Sequence, residues 1–186
     1  MTSTGSATSD TRANLLDAAF RLAHRHGVAA VTLEAVASEA GVSKGGLLYH
    51  FPSKDSLVFG MVELLQEEFE VAAQHAASRD PRPRGRAARA YLSACVDADP
   101  GRSKRWLALI GALVREPALL QPWRDLIAPA SAADRAEGSD VVAASIVRLA
   151  ADGLWLADVL GTQPFAPRMR RKVIERLRAL TSEETR

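Results

Sequence analysis

The stretch from Thr32 to Lys54 gathers residues suited to holding an anion. Thr32 and Ser43 stand where helix N-caps are expected, so hydroxyl and free backbone N–H groups together favour negative charge there. Lys44, Tyr49, His50 and Lys54 can each donate a hydrogen bond to a phosphate oxygen. A lone lysine is most often a solvated surface residue, but clustering of these donors on one short segment favours a shared target. Gly45 and Gly46 follow Lys44 in the first turn of a helix, where each costs up to about 1 kcal/mol relative to Ala. Two readings explain the pair. Either a partner such as a DNA major groove approaches the backbone closely, or the glycines relieve crowding against a neighbouring helix.

The elements that position these residues follow from their neighbours. A helix is expected from about Thr11 to His26, with Leu15, Leu16, Ala19, Phe20 and Ala23 at helical spacing and Gly27 at its end. A second, short helix starts after Thr32 and stops before Gly41, which suits a turn that needs positive φ. Ser43 caps a third, ending near Phe51 because Pro52 disfavours helix at the preceding residue. Val36, Ala37, Ala40, Val42 and Leu47 supply small or apolar contacts between the second and third, giving a helix-turn-helix. A fourth helix, capped by Ser53, runs from Lys54 to about Ser78.

The run Gly41 to Leu57, GVSKGGLLYHFPSKDSL, resembles the signature of the tetracycline-repressor (TetR) family, as do Ala18 to Leu22, Gly27, Thr32, Leu33, Val36 and Ala37 upstream. The resemblance covers about Thr11 to Met61. It implies an all-α dimer of about nine helices, the first three binding double-stranded operator DNA and the rest forming a ligand-binding and dimerisation domain. It also implies that Lys44, Gly45, Gly46, Tyr49 and His50 face DNA and that Lys54 contacts phosphate. Leu48 departs from the pattern, standing where many members carry an aromatic. It can touch a thymine methyl or pack inward.

Beyond Ser56 the resemblance loosens. The expected organisation is a disordered tail over 1–10, a DNA-binding domain over 11–54 and an effector and dimer domain over 55–186. Prolines and charges at 79–85 mark a break, read as a solvated linker, although the arginines up to Arg89 could add a nucleic-acid contact. Helices are expected at about Arg86–Ala98, Arg102–Arg115, Leu119–Ile127, Asp140–Leu160 and Pro167–Thr181, with a loop over Asp134–Asp140. The segment Val141 to Leu160 is apolar on nearly all sides, which calls for burial against its own core and against a second subunit. The last helix carries Met169, Val173, Ile174, Leu177 and Leu180 on one stripe, with arginines off it. Two such helices per subunit would make a four-helix dimer interface.

Phe69, Tyr91, Trp106, Trp123 and Trp155 are the large aromatics available to line a pocket, and Asp152 lies one turn before Trp155. Together they would suit an apolar or cationic small-molecule effector. The plainer alternative pairs Asp152 with Arg148 and leaves the tryptophans as core.

The 186 residues are 47% hydrophobic and 25% charged, sufficient for a substantial core, and the net charge of +2 permits a nucleic-acid partner without demanding one. No signal peptide or membrane span is read, and the single cysteine, Cys95, fits packing in a reducing cytoplasm. Catalysis finds little support. His24 and His26 point to different helix faces, and no nucleophile elbow or phosphate loop is present. Glu63, Glu67, Glu70 and Gln74, near His75, have a spacing a bundle metal site can use, but a solvated acidic face explains them more simply. No cofactor, metal or catalytic residue is expected.

Overall fold

The computed structural model describes residues 4–97, 100–115, 117–121, 124–125, 128 and 130–182. These form an all-helical chain with nine α-helices and no strand among the described residues. The helices are α1 (Thr4–His26), α2 (Leu33–Ala40), α3 (Lys44–His50), α4 (Lys54–Arg79) and α5 (Arg86–Val96), followed by α6 (Pro100–Arg115), α7 (Ala130–Ala136), α8 (Val141–Leu160) and α9 (Pro167–Leu180). Short 3-10 turns occupy Val28–Ala30 and Pro117–Leu120. The chain divides into two compact units, Met1–Leu65 with Lys104–Pro122, and Gln66–Ser103 with Trp123–Arg186. Helices α4 and α6 each contribute residues to both.

In the first unit, the α1 residues Leu15, Leu16, Ala19, Phe20 and Ala23 are all buried, as their spacing requires. Glu39 on α2 accepts from Arg21 Nε at 2.9 Å and from Arg25 at 2.6 Å, while Asn14 donates to the Ala40 carbonyl at the end of α2. These bonds hold α2 on α1. Gly41 ends α2 at φ 66°, in the left-handed region, which turns the chain directly into the cap of α3. The first unit also takes in the start of α4 and the Lys104–Pro122 segment.

In the second unit α5 packs against α8, with α7 and α9 also on α8. Its core joins Leu92, Ala94 and Cys95 of α5, Ala144, Val147, Ala151 and Leu154 of α8, and Ile174 and Leu177 of α9. The loop between α4 and α5 is fixed by Arg89, which is almost wholly buried. Its guanidinium donates to the Asp80 carboxylate at 2.5 Å, to the carbonyls of Arg82 and Arg84, and to Thr181 past the end of α9.

The structure differs from the sequence expectation at several points. Residues 4–10 continue helix α1: with α1 nucleated downstream, each added N-terminal residue gains helical bonding without a new nucleus. Helix α6 begins at Pro100, ahead of Arg102, since proline is tolerated in a first helical turn. Ala130–Ala136 is a helix where a loop from Asp134 was expected; its alanines favour helix, and a buried ion pair described below fixes it. The expected helix Leu119–Ile127 starts instead in a 3-10 turn and falls partly outside the described residues.

Candidate nucleic-acid interface and a cavity in the second unit

The helix-turn-helix is capped at both starts. The Thr32 hydroxyl accepts from the Ala35 N–H at 3.1 Å, and Ser43 Oγ accepts from the Gly46 N–H at 3.1 Å. Leu47 is fully buried and anchors α3, leaving Lys44, Gly45, Leu48 and Tyr49 on its outer side. Tyr49 is 78% exposed, stacked edge-on with His50. Leu48, at 38%, also lies on the outer surface rather than packed inward. Lys54 Nζ donates to the carbonyls of Val28 and Ala29, so the start of α4 is tied to the 3-10 turn between α1 and α2.

The two glycines have different reasons. A Cβ on Gly46 would come within 2.9 Å of Val42 Cγ1 and 3.3 Å of Ser43 Oγ, so crowding by the turn and the cap accounts for it. A Cβ on Gly45 would meet nothing within 4 Å. No packing among the described residues demands a glycine at 45.

A cavity of about 620 Å³ lies within the second unit. Alanines are the commonest lining residues (Ala73 and Ala77 of α4, Ala87 and Ala90 of α5, Ala130 and Ala133 of α7), with Phe69 and Tyr91 meeting edge-to-face at 5.0 Å. Polar groups come chiefly from one face of α4: Gln66, Glu70 and Gln74, with Gln66 donating to Glu70 at 2.9 Å. Arg148 of α8 also lines it. Both guanidinium amines of Arg148 donate to the carboxylate of Asp134, which is fully buried on α7.

Of the expected pocket residues, Phe69 and Tyr91 line this cavity. Trp106 belongs to the first unit, Trp155 is half-buried against the helical core, and Trp123 lies outside the described residues. Asp152 sits behind the wall and accepts from the Tyr91 hydroxyl at 2.6 Å. Burial raises the Asp152 carboxyl above its ordinary range, against the opposing effects of the Tyr91 hydrogen bond and the charge of Arg148. Burial, followed by the same hydrogen bond, pushes the Tyr91 phenol upward. Asp152 therefore pairs neither with Arg148, as its helical spacing suggested, nor with the cavity. The acidic run on α4 is split as well. Glu63 faces Arg12 at 3.4 Å in the first unit while Glu70 faces the cavity in the second.

The outer side of α8 exposes Val142 (69%), Ile146 (49%), Leu149 (73%), Leu156 (43%) and Leu160 (47%). With Gly153 between them, these positions step alternately by four and three residues. Such a 3.5-residue repeat presents an apolar seam to another helix. Met169 on α9 is 52% exposed.

At the start of α2, Glu34 accepts a hydrogen bond from Lys44 Nζ at 2.8 Å; sequence reasoning did not single out this contact, nor Asp134 or Glu70 in the roles above. Glu34 alone left a readable sign, an acidic residue in the first turn of α2, close in sequence to the basic start of α3.

The profile of bacterial regulatory proteins of the tetR family matches residues 15–61, and that of the tetracyclin repressor-like C-terminal domain matches residues 85–182. The HTH-type transcriptional regulator BetI of Burkholderia thailandensis is 31% identical over 173 residues, covering 83% of this chain and 84% of its own length. A solved TetR-family member from Streptomyces coelicolor is 30% identical with a TM-score of 0.68, over 90% of this chain and 98% of that one. The multidrug binding protein EbrR, solved with malachite green, is 26% identical with a TM-score of 0.68, over 89% of this chain and 96% of its own.

Proposed function

The chain belongs to the tetracycline-repressor (TetR) family of transcriptional regulators, and from that premise we propose that it is a repressor that holds a near-palindromic operator as a homodimer and releases it when a small molecule fills the cavity of the second unit. The observation that carries this reading is the division of α3 into a buried anchor, Leu47, and an outward face of Lys44, Gly45, Leu48 and Tyr49. An open Gly45 lets the backbone come close to base edges, and Leu48 offers an apolar contact for a thymine methyl. Lys44, Tyr49, His50 and the hydroxyls of Thr32 and Ser43 hold phosphates, with Lys54 a further donor at the rim. Two copies read half-sites about 34–36 Å apart, or a multiple of that.

Dimerisation is supported by the exposed 3.5-residue seam of α8 with Met169 of α9 beside it. Effector binding is supported by the alanine-walled cavity. Its arginine is already neutralised by Asp134, and Glu70 has no cationic partner among the described residues, so an apolar or cationic molecule suits it better than an anion. Helix α4 supplies both Lys54 and the cavity wall from Gln66 to Ala77. An effector that prefers the α4 position incompatible with operator spacing shifts the population away from DNA; equal affinity for both states shifts nothing.

The test is selection of bound duplexes from a random library, followed by fluorescence anisotropy across a salt series. A palindromic motif bound by one dimer, and released by malachite green as a first probe of the cavity, supports the reading. Failure to enrich any sequence over random duplex overturns the operator assignment.

A further inference from the structure

The outward face of the helix-turn-helix carries a negative charge beside its most prominent positive one. Glu34, in the first turn of α2, accepts a hydrogen bond at 2.8 Å from Nζ of Lys44, the first residue of α3. We propose that Glu34 governs the protein's affinity for DNA by competing with phosphate for the Lys44 ammonium. The inference rests on the assignment of α3 as the DNA-reading helix.

The side chains are 62% and 68% exposed for Lys44 and Glu34 respectively. A solvated pair of this kind adds little to the stability of a fold, so its consequence lies in what Lys44 meets. Glu39, the other acid on α2, is engaged differently: it clamps α2 to α1 through Arg21 and Arg25 and is turned toward α1. Glu34 makes no such clamp; the contact found for its carboxylate is the lysine assigned to DNA. That hydrogen bond holds the Glu34 carboxyl below its ordinary range, so the group stays charged at neutral pH.

When a duplex approaches, Lys44 must leave Glu34 or be shared with it. In the first case a bare carboxylate is left a few ångströms from a polyanion. In the second the pair meets the phosphates with no net charge. In either case the surface gives up the counterion release that a lone lysine would provide. Because that release supplies essentially all sequence-independent binding, Glu34 weakens attachment to bulk DNA and keeps the protein from being held away from its operator.

The experiment uses the full-length protein, with a selected operator and a scrambled duplex of equal length, measured by anisotropy between 50 and 300 mM salt. Glu34→Gln is expected to tighten binding to both duplexes, on the order of tenfold per subunit at 0.1 M salt, and to steepen the log–log salt slope by about 0.9 per subunit. Lys44→Gln leaves Glu34 unneutralised, so it weakens binding and flattens the slope. The double variant E34Q/K44Q replaces a neutral pair by another neutral pair and returns the scrambled-duplex slope close to that of the parent. A purely structural role for Glu34 would not move a salt slope. Unchanged affinity and slope in Glu34→Gln overturns the proposal, and so does weaker binding, which would make Glu34 a base-contacting or positioning group. Both outcomes leave the DNA-binding assignment intact, provided the parent protein binds. A parent that binds neither duplex removes that assignment and the role of Glu34 with it.

Discussion

Leu149→Asp tests the proposed dimer seam on α8 at its most exposed leucine. The stripe from Val142 to Leu160 runs about 27 Å along α8, at 1.5 Å per residue. Complete burial of a leucine side chain is worth about 2 kcal/mol, and Leu149 has 73% of its surface left to bury, giving roughly 1.5 kcal/mol per copy. In a two-fold interface the substitution counts twice, so lost burial alone costs about 3 kcal/mol. Carboxylates placed in an apolar seam add a desolvation cost, and a total near 4 kcal/mol raises the dimer dissociation constant roughly a thousandfold. Sedimentation velocity or mass photometry across nanomolar to micromolar protein reads this directly. Circular dichroism supplies the control, because Leu149 lies outside the protomer core and helix content should not change. Operator affinity should fall in parallel, since separate protomers lose the effective concentration that links two half-sites. A variant that stays dimeric with the parent's dissociation constant refutes the seam. A variant that loses helix refutes the claim that this leucine is spare in the protomer.

The buried pair between α7 and α8 and the acid-sensitive clamp at the α4–α5 loop give further expectations. Asp134→Leu strands Arg148, whose side chain is only 13% exposed, and should cost about 3 kcal/mol, or roughly 6–12 °C in melting temperature. Adding Arg148→Met should recover most of that loss; a double variant as unstable as the single would mean the damage is not an unpaired charge. At Asp80, burial raises the carboxyl, but hydrogen bonds from the Arg89 side chain and the Arg82 backbone, with the charge of Arg89, outweigh it and lower its pKa to about 2. Since the unfolded value is about 3.9, the stabilisation is present above about pH 4 and is lost as pH falls toward 2. Asp80→Asn should therefore flatten the acid limb of urea-unfolding stability between these values and lower stability at neutral pH by about 1 kcal/mol. An acid limb identical to the parent's would rule the clamp out.

What could be read from residue types was whatever is decided within a few residues. The caps by Thr32 and Ser43, the left-handed Gly41 and the halt of α3 at Phe51 before Pro52 each depend on neighbours in sequence, and the helix-turn-helix is one contiguous segment built of such signals. The second unit is decided at longer range. Helical spacing offers Arg148 to Asp152, one turn away on the same helix, yet Arg148 goes to Asp134, fourteen residues back, and Asp152 to Tyr91, sixty-one residues back. Asp152 thus has a local and a remote candidate, and the packing of α5 on α8 chooses between them. The helix Ala130–Ala136 packs on α8 and carries Asp134 to Arg148, a pairing with no signal in the residues beside it. Trp106 shows the limit most plainly. It lies three residues from Ser103 on a continuous helix, but α6 passes from one compact unit to the other at Ser103 and Lys104, so Trp106 belongs to the unit that does not hold the cavity. An aromatic can be recognised as large and apolar from its type alone, whereas which core receives it depends on where its helix crosses, which has no signature in the residues beside it.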